Sequence, residues 1–345
     1  MSFRRWVTII TFILLGIVVY FAWPEIVKVW GLVQRVDVWI LLLVIPVQLL
    51  SYYATGGIIF SYLRKKGNLK EASHWQMTRL SLELNFVNHI LPSGGAAGFS
   101  YLGWVLHRFG VTPGRATVAQ LVRFVLTFVT FVLLLIIAVI ILAYDGHINR
   151  VILLLCGLIA GLAIGGTVLL AVIVSSRETL VRFSAWATRI SNRFVRWITR
   201  GRKHQAVKNG LLEKFFLEMH SDYVEIRRDL RVLIIPSVWA IVANLCDVAL
   251  LWIAFWALGT PVNPAALFIA FGLSSIGGAI ANTPGGAGAY EAIMIAFLAS
   301  AGIGADVAIA GTLLARVTLV VGTIVFGYIF YQLTINKYGK QPVQR

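Results

Sequence analysis

Residues 88–101 read NHILPSGGAAGFSY, and residues 281–292 read ANTPGGAGAYEA. Both stretches interrupt apolar sequence with proline and paired glycines, which break helices. A broken helix in lipid leaves backbone groups that only protein or water can satisfy. A chain that does this twice has a use for the breaks.

The rest of the chain is membrane sequence. Of its 345 residues, 59% are hydrophobic and 13% charged, with a mean hydropathy of +0.84. Soluble domains do not carry so much apolar sequence. Apolar runs at Trp6–Trp23, Val38–Leu63, Ala116–Tyr144, Val151–Val174, Val232–Leu258 and Val307–Thr334 read as full spans, and the two broken elements occupy Ser73–Gly110 and Ala265–Gly302. Trp6–Trp23 follows Arg4 and Arg5 and has no small-x-small cleavage site, so it reads as a retained signal anchor. The expected architecture is an all-α polytopic membrane protein with about six full transmembrane helices and two re-entrant helix pairs. Cys156 and Cys246 sit in apolar runs and read as packing residues.

The net charge of +16 is gathered between the apolar runs rather than spread over a soluble surface, which argues against nucleic acid. Residues 175–231 hold thirteen Lys or Arg against six Asp or Glu. There Phe183, Trp186, Ile190, Phe194 and Trp197 recur at helical spacing, with Arg182, Arg189, Arg193, Arg196 and Arg200 mainly opposite. A second apolar series, Leu211, Phe215, Met219, Tyr223 and Ile226, follows a turn. The expectation is a cytoplasmic amphipathic hairpin against the membrane face, held by anionic lipid. With Arg4 and Arg5 inside, the loop at 64–70, this insert and the tail all fall in the cytoplasm, as the positive-inside rule requires. Both termini are then cytoplasmic, in a cell inner (plasma) membrane.

The breaks belong to a larger repeat. Pro46 precedes Pro92 by 46 residues and Pro236 precedes Pro284 by 48, while Arg123 and Arg316 follow the break prolines by 31 and 32. The derived topology points the two copies in opposite directions, an arrangement that transporters use to build a substrate cavity near the midplane. Residues 1–37 are thus an anchor and outer loop, 38–144 repeat 1, 145–174 a linking span, 175–231 the hairpin, 232–334 repeat 2, and 335–345 a basic tail.

These motifs and their helix arrangement resemble the flippase domain of the lysylphosphatidylglycerol synthase/flippase family, over roughly Met1 to Thr334. The resemblance implies passage of a phospholipid or lipid-linked headgroup across the bilayer. Bifunctional members carry a soluble aminoacyl-transferase domain after the membrane part; this sequence reads to Arg345 without one, so lipid lysylation is not expected.

Candidate site residues cluster at the breaks and the two arginines. Arg316, deep in its span, either binds headgroup phosphate or pairs with Glu291 or Asp247; Arg123 either snorkels to the near face or lines the cavity. Glu83 lies four residues after Arg79, so a local ion pair stands beside an ion-coupling role for Glu83, Asp247 and Glu291. Asn88, His89, Ser93, Gly94 and Gly95 crowd the first break, and Asn282, Thr283, Gly285, Gly286 and Tyr290 the second. Headgroup contact and capping of the broken ends are the two readings for their polar members, while the glycines permit close backbone approach. No GxxxxGK[ST], CxxC or HExxH pattern occurs, so no built-in ATPase, cofactor or metal is expected, and no enzyme activity. Expected partners are anionic, aminoacylated or polyprenyl-linked lipids, with a homo-oligomer or a separately encoded lipid-modifying enzyme compatible with that role. A non-transporting lipid-binding accessory subunit is the competing function, followed by a membrane enzyme on lipid-linked sugars.

Overall fold

The computed structural model describes residues 36–90, 96–144, 150–198, 211–281 and 286–338. The span expected at Trp6–Trp23 and the tips of both breaks lie outside the described residues.

Repeat 1 starts from Asp37, whose carboxylate accepts the backbone N–H of Trp39 at 2.9 Å and so caps α1 (Val38–Leu42). It continues through α2 (Val44–Lys65), α3 (His74–Ile90), α4 (Ala96–His107) and α5 (Pro113–Tyr144). After α6 (Arg150–Ser175) come the hairpin arms α7 (Arg177–Ile198) and α8 (Leu211–Arg228), then a 3-10 turn at Leu230–Leu233 capped by Asp229. Repeat 2 is α9 (Ile234–Ala257), α10 (Pro264–Ala281), α11 (Ala289–Ser300) and α12 (Ala305–Tyr338).

The copies match helix by helix. Helices α2 to α5 have 22, 17, 12 and 32 residues; α9 to α12 have 24, 18, 12 and 34. Pro46 and Pro236 are each the third residue of their helix, where the missing N–H would have had no intrahelical partner. Left-handed glycines recur 192 residues apart, Gly67 with Gly259 and Gly110 with Gly302. The hydrogen bonds that close these helix ends recur with them: Asn68 N–H donates to the Leu63 carbonyl and Thr260 to Phe255, Val111 to Leu106 and Ile303 to Leu298. Each is the six-to-one bond of a Schellman end, which needs φ > 0 and therefore favours glycine.

The direction of the copies follows from which residues meet. Asp37 N–H donates to the Ala257 carbonyl at 2.8 Å, Ser51 bonds to Asp247, and Gly57 packs on the Trp239 ring. As numbers rise along α2 they fall along α9, so the leading helices are antiparallel and the repeats inverted. Each repeat also lays its last helix against the first break arm of the other: α12 on α3, and α5 on α10.

Among the described residues, six helices are long and apolar enough to span a bilayer. Five are expected spans; the sixth is Pro264–Ala281, the first arm of the second break, which reaches about 27 Å at helical rise. Ile136, Ile140, Leu154 and Leu158 stand exposed on α5 and α6, as lipid-facing side chains do. Both cysteines are free and buried.

The helical hairpin is present, but its two arms differ. On α8, Met219 is buried with Ile58, Leu63 and Val118, so this arm turns its apolar face to the protein. Arg115 grips Asp222 through Nε and Nη2 at 3.1–3.3 Å, and Lys66 pairs with Glu225. The Lys66 ammonium holds the Glu225 carboxyl below its usual range. On α7, Phe183 and Trp186 remain exposed while Leu180 and Ser184 are buried.

Candidate functional site

The second break closes on glycine. Gly286 and Gly288 both have φ > 0, and a Cβ on Gly286 would lie 2.9 Å from Gly278 Cα. The missing side chain of Gly286 therefore lets the loop touch the backbone of α10. Gly288 caps α11, and its N–H donates to Glu291 Oε2 at 2.6 Å, the reciprocal half of a capping box. The other carboxylate oxygen, Oε1, lies 2.7 Å from Arg316 Nε on α12, close as an ion pair but without hydrogen-bond alignment. The guanidinium also lies over Tyr290, 4.9 Å from the ring centroid. The side chains of Arg316 and Glu291 are 14% and 6% exposed, so the pair is largely enclosed.

Asp247 joins this group at longer range. It accepts a hydrogen bond from Ser51 Oγ at 2.7 Å and acts electrostatically on Tyr290, as Arg316 and Glu291 do. A polar seam continues between the repeats: Gln48 Nε2 donates to Tyr52 at 2.7 Å and to the Leu319 carbonyl at 3.0 Å, and Tyr52 shares a hydrogen bond with Thr323 at 2.6 Å.

Arg316, Leu319, Thr323, Gly327, Phe330 and Thr334 share one face of α12 at steps of three and four. That face carries the seam from the second break to a second ionic cluster. Glu83 on α3 is 1% exposed and accepts from Arg79 Nε at 2.9 Å, Tyr101 at 2.6 Å and Thr334 at 2.6 Å. Arg79 also donates to Thr334 at 2.6 Å. The local Arg79–Glu83 pair is thus real, and it ties both arms of the first break to repeat 2. Thr334 lies eighteen residues beyond Arg316, so the two clusters stand about 27 Å apart along α12. Glu83 and Glu291 do not share a site. Because α3 runs antiparallel to α12, Asn88 lies nearer the Arg316 level than Glu83 does.

Arg123 on α5 has no counterpart to Glu291. Its Nε is sealed from solvent without a hydrogen-bond partner among the described residues, and its guanidinium lies 4.6 Å over the Phe124 ring. Phe124 stacks on Phe99 of α4 at 5.6 Å. Asn88 Oδ1 is likewise sealed and unpartnered, and Asn88 packs against Gly98 of α4. The His89 side chain and Ser93, Gly94, Gly95, Asn282, Thr283 and Gly285 lie outside the described residues.

A cavity of about 310 Å³ lies elsewhere, lined by Leu142, Thr260, Asn263, Ala301, Ile303 and Val307 among others. Val307 is about 14 Å along α12 from Arg316, so the cavity is separate from the ionic seam.

Sequence reasoning missed Tyr101, Thr334, Gln48, Ser51, Tyr52 and Thr323. Gln48, Ser51 and Tyr52 were legible as a polar stripe at helical spacing in an apolar helix; Tyr101 and Thr334 gave no local signal, since only the tertiary fold brings them to Glu83.

Inverted helix–break–helix repeats joined by a buried polar seam define a multi-pass all-α membrane protein. The chain matches the lysylphosphatidylglycerol synthase TM region over residues 7–327 and belongs to that family. Comparison with curated protein sequences gives no match. The family suggests a role connected with membrane lipids.

Proposed function

We propose that this protein is a lipid transporter of the flippase or scramblase type, not an enzyme. It would pass a phospholipid or lipid-linked headgroup between the inverted repeats while the acyl chains stay in lipid. The observation that carries this reading is the α12 seam, which joins the second break to the first through polar contacts that cross from one repeat to the other. Such a seam supports movement by rocking, because side-chain contacts between Thr334 and Glu83, or Thr323 and Tyr52, can part without unfolding either repeat. The basic loops face the cytoplasm of a cell inner membrane in this reading, which puts both termini inside. A membrane potential supplies about 2.3 kcal/mol per unit charge at 100 mV. With the cell interior negative, it aids outward movement of an anionic headgroup and opposes a cationic one. A cationic lipid would need downhill supply or ion coupling, for which Asp247 and Glu291 are the candidates.

The test is translocation of headgroup-labelled anionic, aminoacylated and polyprenyl-linked lipids in proteoliposomes, read with a membrane-impermeant quencher and with or without a potential. Selective movement, lost when Cys residues at 83 and 334 are oxidised to a disulfide and restored on reduction, supports transport by rocking. No movement of any lipid refutes it. One observation favours the accessory-subunit reading: Arg316 and Glu291 already neutralise one another. The same absence of movement, with lipid binding retained, is what that reading requires.

A further inference from the structure

The two pseudo-symmetric arginines are not equivalent. Arg316 has its carboxylate; among the described residues Arg123 has none. Among the described residues Arg123 makes no ion pair. The sequence explains why. No Asp or Glu occurs from residue 84 to residue 144, so neither the first break nor α4 or α5 can supply a counter-charge. Glu83, on the first break arm, is committed to Arg79, Tyr101 and Thr334. At the position of repeat 1 that corresponds to Glu291, this chain has Phe99.

A guanidinium whose Nε is sealed without a partner is costly, and arginine cannot escape by shedding its proton. A protein retains one where an anion completes it. The π face of the group is held by Phe124, itself braced on Phe99, so what remains for a ligand is the planar edge with its N–H donors. That edge fits two phosphate oxygens bidentately. A second sealed and unpartnered polar atom, Asn88 Oδ1, lies against Gly98, the neighbour of Phe99.

We propose that Arg123 is the binding residue for a phosphate group, carried on a lipid or free, which enters at the first break between α3 and α4. Arg316 is the positioning residue of the second break and does not bind it. This names the substrate chemistry of the transport reading and rests on that reading for its role in a cycle.

The experiment uses the purified full chain in detergent and radiolabelled dihexanoyl phosphatidylglycerol. Wild type should bind it saturably, and Arg123→Gln should weaken binding about 10- to 100-fold, as loss of a charge-assisted bidentate contact does. Arg123→Lys, which keeps the charge without the fork, should fall between and also reports on folding if the glutamine variant is unstable. The double variant Arg316→Gln with Glu291→Gln should bind like wild type. Dioctanoylglycerol, which lacks phosphate, should not compete. Competition by inorganic phosphate would assign the site to free phosphate, and its absence to the lipid-borne group. Equal binding by Arg123→Gln and wild type, or full competition by dioctanoylglycerol, overturns the proposal. A parallel vesicle assay separates the two ideas. Translocation with Arg123-independent binding leaves transport and removes the site; Arg123-dependent binding without translocation does the reverse.

Discussion

Glu291 performs two tasks with two oxygens, and substitutions can take them apart. Oε2 accepts the Gly288 N–H that starts α11, and Oε1 faces Arg316 at 2.7 Å. Glutamine keeps an acceptor for the cap but loses the charge; alanine loses both. Opposite charges about 4 Å apart at an effective dielectric near 20 attract by about 4 kcal/mol, and breaking one side of an enclosed pair costs about 3–5 kcal/mol. With Arg316 at 14% exposure, some solvation remains and the lower end applies. Glu291→Gln and Arg316→Gln should each destabilise the protein by about 3 kcal/mol, and Glu291→Ala by about 1 kcal/mol more for the lost cap. The double variant Glu291→Gln with Arg316→Gln should recover at least about 2 kcal/mol of the summed losses, since it leaves no buried charge unpaired. Unfolding in detergent, followed by urea titration of the monodisperse fraction, measures all four. If the single variants unfold with wild type, or the double variant loses the full sum, the pair does not hold the second break and the argument fails.

Three further outcomes follow from separate parts of the molecule. Gly286→Ala, at φ +74° and 2.9 Å from Gly278 Cα, should cost at least about 1–3 kcal/mol in the same titration, whereas Gly103→Ala, helical with open space around it, should be neutral or stabilising. Asp222→Asn should loosen α8 from the ends of α2 and α5 by about 1–3 kcal/mol, read as faster proteolysis within 199–210 in the intact chain. Glu225 has a depressed carboxyl because Lys66 pairs with it, so its contribution is present above the ordinary glutamate range and is lost as pH falls through the depressed value. Proteolysis at the hairpin should therefore rise below about pH 4 in wild type and show less of that acid dependence in Glu225→Gln.

Much of the backbone was legible because its rules are local. The prolines that start α2 and α9 and the glycines that end helices are fixed by single-residue geometry, and the spans by composition. Side-chain pairing was less legible. Arg316 with Glu291 was an open alternative in the sequence, and only the packing of α11 on α12 decides it. Glu83 read as a local pair with Arg79, which it is, yet its other partners come from α4 and from the far end of the chain. The polar face of α8 was visible, but not that its apolar face would meet protein, because periodicity gives a face and not what covers it.

The symmetry of the backbone and the asymmetry of the charges have different physical origins. A Schellman end accepts little but glycine, so Gly67, Gly110, Gly259 and Gly302 hold the same register in both copies. A counter-charge has no such address and can come from any element within reach. Repeat 1 places its acid on the first break arm, where Arg79 occupies it; repeat 2 places its acid on the second arm, where it meets the arginine of the following helix. The result is a frame with two similar halves in which Arg123 is, among the described residues, without a protein carboxylate. In the transport reading proposed above, inversion would let such a frame open alternately to either side, and a site with equal charges in both halves would give an anion no reason to prefer either. In that reading the uncompensated charge in one half would give the headgroup a single station, at Arg123, while the second break keeps its own ion pair.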